Sequence, residues 1–240
     1  MEKKTAAVLY SGGKDSTFAC ACALKMGYEV KRLITMVSRN PDSYMLHTSN
    51  IFLTKLSSLA LGIPQFTAHT AGNKEEELLD VKKAILDSRS EIRFDTLITG
   101  AIASAYQKER IERIGVECGV KVLSPLWGLN QEDYLRNLGQ NQYIFTITSV
   151  SAEGLDRSWL GPEIGVKEIE KLILLSRKFR FNPAFEGGEA ETLVLDCPIF
   201  VRGKIRIIQS KIVWKGDSGV LEVTKAELVR KQTTRGIISF

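Results

Sequence analysis

The residues best suited to chemistry lie near the start of the chain, in Tyr10-Ser11-Gly12-Gly13-Lys14-Asp15-Ser16. A β-branched and aliphatic run over 5–9 precedes them and a helical run over 17–26 follows. Strand, glycine turn and helix together present backbone N–H groups to an anion. The first-turn N–H groups of a helix lack intrahelical partners, and the helix dipole adds partial positive charge there. Gly12 and Gly13 let the backbone bend and come close to a ligand. Ser11 and Ser16 bring hydroxyls, Lys14 a cation, and Asp15 a candidate metal contact. The pattern predicts a pocket for a di- or triphosphate. The plainer alternative is a strand-to-helix turn with a serine cap. A Walker loop separates its first glycine from the Gly-Lys-Ser/Thr end, whereas here the glycines are adjacent.

A second stretch has similar potential: Phe185-Glu186-Gly187-Gly188-Glu189-Ala190-Glu191-Thr192 sets two glycines among three glutamates. One reading is a glycine loop with solvated acids. The other is a loop that closes over the nucleotide site, its carboxylates holding Mg²⁺, a substrate amine or ammonia. Mg²⁺ commonly takes one or two carboxylates together with phosphate oxygens and waters.

The elements that position these stretches read as alternating strands and helices. Strands are expected over 5–10, 29–37, 64–69, 94–99 and 121–123. Helices are expected over 15–26, 49–61, from a cap at Asn73 with Lys82 and Lys83 near the far end, and over 104–118. Asn40-Pro41-Asp42-Ser43 reads as a turn, and Gly62 as the C′ glycine that ends a helix. Such alternation predicts a doubly wound parallel α/β sheet covered on both faces. Ligands in these sheets sit beyond the carboxyl ends of the strands, where the winding reverses. In the order three-two-one-four-five, Gly100 and Ala101 flank the glycine turn and leave room for a nucleotide. After Trp127 the pattern becomes α+β. Helices are expected over 130–138, capped by Asn130, and over 167–179. Strands are expected over 142–150, 192–197, 204–214 and 219–224, with a hairpin loop at 215–219. The predicted division is a nucleotide domain over 1–128 and a smaller substrate-binding α+β domain over 129–240, closely packed.

Ser11 to Ser16, written SGGKDS, resembles the PP-loop of ATP pyrophosphatases, which cleave ATP between the α- and β-phosphates. Together with Gly100-Ala101-Ile102, Tyr106-Gln107, Arg110, Pro125-Leu126-Trp127 and the EGGEAET block, it resembles the diphthine–ammonia ligase family. That resemblance implies ATP and Mg²⁺ as cofactors. It implies that the diphthine carboxylate of translation elongation factor two is adenylated, then amidated by ammonia, with release of AMP and pyrophosphate. On this basis Lys14, Asp15, Glu186 and Glu189 are the expected catalytic residues, and Asp15 and Glu189 the metal contacts. Ser11, Gly12, Gly13, Ser16, Met36, Ser38, His47, Gly100 and Ala101 complete the nucleotide site. Tyr106, Gln107, Arg110, Glu186, Glu191 and Thr192 face the substrate. His47 also reads as an ordinary structural histidine, and Arg110 as a solvated arginine.

Bulk properties narrow the classes. A 240-residue chain with 44% hydrophobic and 25% charged residues is ordinary for a globular protein. No apolar run approaches the roughly 18 residues of a membrane span, and Met1-Glu2-Lys3-Lys4 does not read as a signal peptide. The four cysteines contain no Cys-x-x-Cys pair, so reduced thiols and a cytoplasmic location are expected. The net charge of +5 is spread along the chain, which suits an acidic ligand more than nucleic acid. Arg202, Lys204 and Arg206 alternate on one strand face, either solvated or facing a protein or RNA partner. A homodimer is a further expectation. Two other functions remain open at this point. One is a tRNA-modifying PP-loop enzyme, such as a thiolase or lysidine synthase, of which thiolases usually need a reactive cysteine pair or an iron–sulfur site. The other is a non-catalytic nucleotide sensor, for which the lysine, aspartate and acidic loop would be superfluous.

Overall fold

The first strand dictates the layering. Its Ala6, Ala7 and Val8 are all fully buried, and strand alternation sends Ala6 and Val8 to one core and Ala7 to another. A strand apolar on both faces must be covered on both. The computed structural model describes residues 4–38, 50–72 and 74–231, without the side chains of 74–76, 106 and 107. Within it the elements run β1 (Thr5–Leu9), α1 (Lys14–Lys25), β2 (Glu29–Ser38), a 3₁₀ turn (Ile51–Leu53), α2 (Thr54–Leu61), β3 (Gln65–Thr70), α3 (Lys74–Glu91), β4 (Thr96–Ile98), α4 (Ala105–Glu117) and β5 (Lys121–Leu123). There follow α5 (Gln131–Gln140), β6 (Ile144–Val150), a 3₁₀ turn (Arg157–Trp159), β7 (Glu163–Ile164), α6 (Val166–Phe179), β8 (Ala190–Asp196), β9 (Lys204–Lys215) and β10 (Ser218–Val229).

The first sheet is parallel, in the order β3-β2-β1-β4-β5. This is the expected order, with the reversal between β1 and β4. On one face lies α1, whose Ala19, Cys20 and Ala23 are fully buried. These small side chains let the helix approach the sheet closely. On the other face, α3 and α4 contribute Val81, Ile85, Ile111 and Ile114 to the second core. The second sheet is antiparallel: β6 pairs with β7, β8 and β10, and β10 pairs with β9 in a long hairpin. The α1-side core continues through Leu135, Leu138, Phe145, Ile169, Leu172 and Leu193. The two sheets therefore share one apolar interior.

Several expectations are corrected. The helix predicted over 49–61 begins as a 3₁₀ turn and becomes α-helical only at Thr54. Asn50 stands left-handed before it, at φ 61°. Its amide donates to the Leu221 carbonyl at 2.7 Å and accepts from Val223 N at 2.9 Å, so it serves β10 rather than capping the helix. Lys82 and Lys83 are not near the end of α3, which continues to Glu91; Lys82 pairs with Glu117 at 2.8 Å. The short β7 has no expected counterpart. Arg206 ion-pairs across the hairpin with Glu227, so the basic row is partly neutralised within its own sheet. Gly62 is the left-handed C-cap at φ 72°, and Asn130 caps α5 by accepting from Glu132 N and Asp133 N at 3.1 Å each. The Asn40–Ser43 turn, the Asn73 cap and His47 lie outside the described residues.

Candidate functional site

A cavity of about 640 Å³ opens at the carboxyl ends of β1 and β4. Ser11, Gly13, Lys14, Asp15 and Ser16 line it from the glycine turn, with Gly100 and Ala101 beside them and Glu186, Glu191 and Thr192 opposite. Ile34, Met36, Val81 and Ile111 make an apolar end. The structure thus brings together two stretches about 170 positions apart in the chain (Lys14 Nζ and the Ala184 carbonyl, |i−j| of 170).

The turn is held by its own serines and by the second sheet. Gly12 adopts φ 81°, a conformation that favours glycine. It lies behind the cavity, where its carbonyl accepts from Val194 N at 2.9 Å. The hydroxyls of Ser11 and Ser16 are 3.2 Å apart, and Ser11 N donates to the Ser16 hydroxyl at 3.3 Å. Gly13, the N-cap of α1, has no side chain to offer. Thr192 of β8 supplies the cap instead, its hydroxyl accepting from Lys14 N at 3.1 Å. One first-turn N–H is therefore already spent on a side chain from the second sheet.

Lys14 is 1% exposed. Its ammonium donates to the Ala184 carbonyl at 2.6 Å and to Asp15 Oδ2 at 3.0 Å, and lies 5.1 Å from the centre of the Phe185 ring. Burial with two polar partners and an aromatic face meets the requirement that a buried charge be compensated. Asp15 Oδ1 accepts from the Tyr134 phenol at 2.8 Å. Burial, and then the Asp15 charge, push that phenol well above its usual range, so Tyr134 stays a hydrogen-bond donor. The Phe18 ring meets it edge-on at 5.6 Å and fixes its position.

The glutamates of the acidic loop have different positions. Glu186 Oε2 accepts from the backbone N–H groups of Ile102, Ala103 and Ser104 at 3.2, 3.0 and 3.3 Å. It fastens the loop to the segment leading into α4. Glu189 folds back on its own loop, accepting from Asn182 N at 3.0 Å and Gly187 N at 2.8 Å. A Cβ on Gly187 would sit 2.7 Å from Glu189 Oε1, so the glycine leaves room for this carboxylate. Removing the carboxylate with Glu189→Ala is expected to leave Asn182 N and Gly187 N without their acceptor and to cost about 1–3 kcal/mol. Urea unfolding checks this; unchanged stability would show that the loop holds its shape without that carboxylate.

Glu189, Ser38 and Arg110 do not line the cavity. Tyr106 and Gln107 sit on the first turn of α4, with side chains outside the described residues. Tyr134, Ser149 and Lys108 are the site residues that sequence reasoning missed. Lys108 lines the cavity, lies 4.7 Å over the Trp127 ring and pairs with Glu112 at 3.3 Å. Its spacing of four from Ser104, on one helix face, was a usable signal. Tyr134 gave none, since a tyrosine on an amphipathic helix reads as core. Among the described residues no group of three or more His, Cys, Asp or Glu is arranged to hold a metal ion. Glu189 does not fit as a metal ligand, because it does not line the cavity and turns back on its own loop. Asp15 fits as a single contact: it faces the cavity, and an ionised carboxylate has lone pairs beyond the two in use.

A glycine turn at the reversal point of a parallel sheet, roofed by an acidic loop from a second sheet, defines a phosphate-binding type of α/β protein. Residues 3–122 match the diphthamide synthase N-terminal domain and residues 130–229 the diphthamide synthase C-terminal domain. The chain belongs to the diphthamide synthase family. A diphthine–ammonia ligase of Homo sapiens is 31% identical over 229 residues, covering 86% of this chain and 84% of that protein. One of Schizosaccharomyces pombe is 31% identical over 210 residues, covering 80% of this chain. This chain matches only 34% of that longer relative. A solved structure titled as a predicted subunit of tRNA methyltransferase from Methanocaldococcus jannaschii aligns at TM-score 0.43 and 18% identity, covering 81% of this chain and 98% of that one.

Proposed function

We propose that this chain is an ATP-dependent amide ligase acting on the diphthine carboxylate of translation elongation factor two. The carboxylate oxygen attacks the α-phosphorus of ATP, the bond to the β-phosphate breaks, and pyrophosphate leaves. Ammonia then displaces AMP to give diphthamide. The observation that carries this reading is that one cavity is lined both by the glycine turn and by the acidic loop. Adenylation needs the outer phosphates held while the inner one is attacked, and amidation needs acceptors for an amine nearby. Family membership supports the same reaction.

In this reading the N–H groups of the turn and Lys14 neutralise the charge that develops on the leaving pyrophosphate. The apolar end, with Met36, takes the purine. Mg²⁺ would arrive on the phosphates with Asp15 as its protein contact, and would supply further charge neutralisation. Residues 1–128 provide the nucleotide site and 129–240 its roof and the approach for the protein substrate. Among the described residues no helix is long and apolar enough to cross a membrane. Work beside the elongation factor in the cytoplasm agrees with four free cysteines. A thiolating tRNA enzyme is disfavoured, because burial pushes the thiols of Cys20 and Cys197 to about 12, far from a reactive thiolate.

The test is incubation with diphthine-bearing elongation factor, ATP and ammonium, followed by mass measurement of the modified peptide and identification of the nucleotide product. AMP and pyrophosphate, formed only with the carboxylate substrate present, are expected. ADP and orthophosphate would exclude the mechanism.

A further inference from the structure

Adenylation brings two anions together. A carboxylate must reach the α-phosphorus of a polyphosphate, and the two repel each other until charge is neutralised between them. The cavity wall is itself acidic. Among the described residues that line it are the carboxylates of Asp15, Glu186 and Glu191 and the ammonium groups of Lys14 and Lys108. We propose that Lys108 is a catalytic residue, whose ammonium bridges the incoming carboxylate and the α-phosphate while the new bond forms. The assignment rests on the ligase reading and gives the two lysines different phosphates.

Position separates the two lysines. Lys14 is held at the glycine turn by the Ala184 carbonyl and Asp15, where the outer phosphates sit. Lys108 stands on α4. Ser104, Lys108 and Ile111 all line the cavity, and spacings of four and three put them on one helix face. The stretch leading into α4 packs on the glycine turn: a Cβ on Gly100 would lie 2.8 Å from Ser16 N. Ile111 belongs to the apolar end that takes the purine. Lys108 therefore lies between them, about one helical turn from Ile111. A nucleotide with its purine at that end and its outer phosphates on the turn places its ribose and α-phosphate in the same interval.

The resting contacts of Lys108 hold its charge in place at small cost to release. The ammonium lies 4.7 Å from the centre of the Trp127 ring. Gly128 N donates to the Ile102 carbonyl at 2.9 Å, which ties the tryptophan's segment to the stretch before α4. The indole face attracts a cation but accepts no conventional hydrogen bond. The pair with Glu112 spans 3.3 Å, with side chains 29% and 47% exposed, and a pair so placed contributes little. Two anionic oxygens offer charge-assisted hydrogen bonds in exchange.

The step needs no proton transfer and no redox partner. A carboxylate oxygen bonds to the α-phosphorus. The bond from that phosphorus to the oxygen shared with the β-phosphate breaks, and pyrophosphate leaves with that oxygen and the electron pair. Lys108 keeps its proton throughout and supplies charge alone.

ATP with sulfur in place of one non-bridging α-oxygen tests the contact, because sulfur is the poorer hydrogen-bond acceptor. Pyrophosphate release is measured with diphthine-bearing elongation factor, ammonium and either ordinary ATP or each of the two thio diastereomers. Lys108→Met is expected to slow release from ordinary ATP by about 10²-fold, the scale of one lost donor to developing charge, while nucleotide affinity by titration stays near the wild-type value. The ratio of rates between the two diastereomers should change by about tenfold, the coupling expected of groups in contact. Lys108→Arg keeps the charge and stacks on the indole, and should recover most of the rate. Glu112→Gln removes the helix pair alone and should leave both rate and ratio at wild-type values. A loss in Glu112→Gln equal to that in Lys108→Met would reduce the lysine to a helix tie and overturn the assignment. Lys108→Gln serves if the methionine variant does not fold. Because the ratio is read within one preparation, partial unfolding does not imitate it. An unchanged ratio in the variant that lacks the ammonium overturns the assignment and leaves the ligase reading standing. A wild-type chain that releases no pyrophosphate overturns the ligase reading, and the assignment with it.

Discussion

Lys14→Met is expected to lower carboxylate-dependent pyrophosphate release by about 10²–10³-fold, the loss seen when one preorganised donor to a developing negative charge is removed. Methionine has nearly the length of lysine and no charge, so it fills the buried space that Lys14 occupies. The variant loses the hydrogen bond to the Ala184 carbonyl and the ion pair with Asp15. The Tyr134 phenol remains as a partner for Asp15. The fold should therefore persist while the chemistry fails. Circular dichroism and urea unfolding report the first, and a pyrophosphate assay the second. Turnover within a few-fold of wild type would remove Lys14 from the reaction and reduce it to a tie between α1 and the 182–185 segment.

A second large loss is expected from a single methyl group. In Gly100→Ala the new Cβ would lie 2.8 Å from both Asp15 C and Ser16 N. These are backbone atoms at the start of α1 and cannot swing aside as a side-chain tip can. The sequence suggested that Gly100 is small to admit a nucleotide; the structure shows that it must also be small to admit the helix. Overpacking of this kind costs about 1–3 kcal/mol. The larger effect is expected on catalysis, because in the proposed reading the displaced backbone is the one that meets the phosphates. A misplacement on the order of 1 Å at a reacting geometry can cost about 10²-fold. ATP titration and steady-state turnover on the folded variant check this. Wild-type kinetics with a small loss of stability would show that α1 shifts without disturbing the site.

The acidic loop shows how the two sheets depend on each other. Glu186 ties it to the residues before α4, Glu189 closes it on itself, and Ala184 holds Lys14. Substitutions in this loop therefore act on the glycine turn even where they touch no ligand.

The sequence by itself determined the parts whose signals are local. Alternating strands and helices, the glycine turn with its lysine and aspartate, the Gly62 and Asn130 caps and the length of β5 follow from periodicity and backbone preference within a few residues. Even the strand order could be anticipated, because parallel windings have few allowed forms. Only the tertiary structure decided which polar atoms meet. Glu186 and Ile102 are 84 residues apart, Tyr134 and Asp15 are 119, and Thr192 and Lys14 are 178. Such pairings carry no periodic signature. A carboxylate that faces a cavity and one that caps a backbone segment are the same letter in a sequence. They become different residues only when the fold gives each its neighbours.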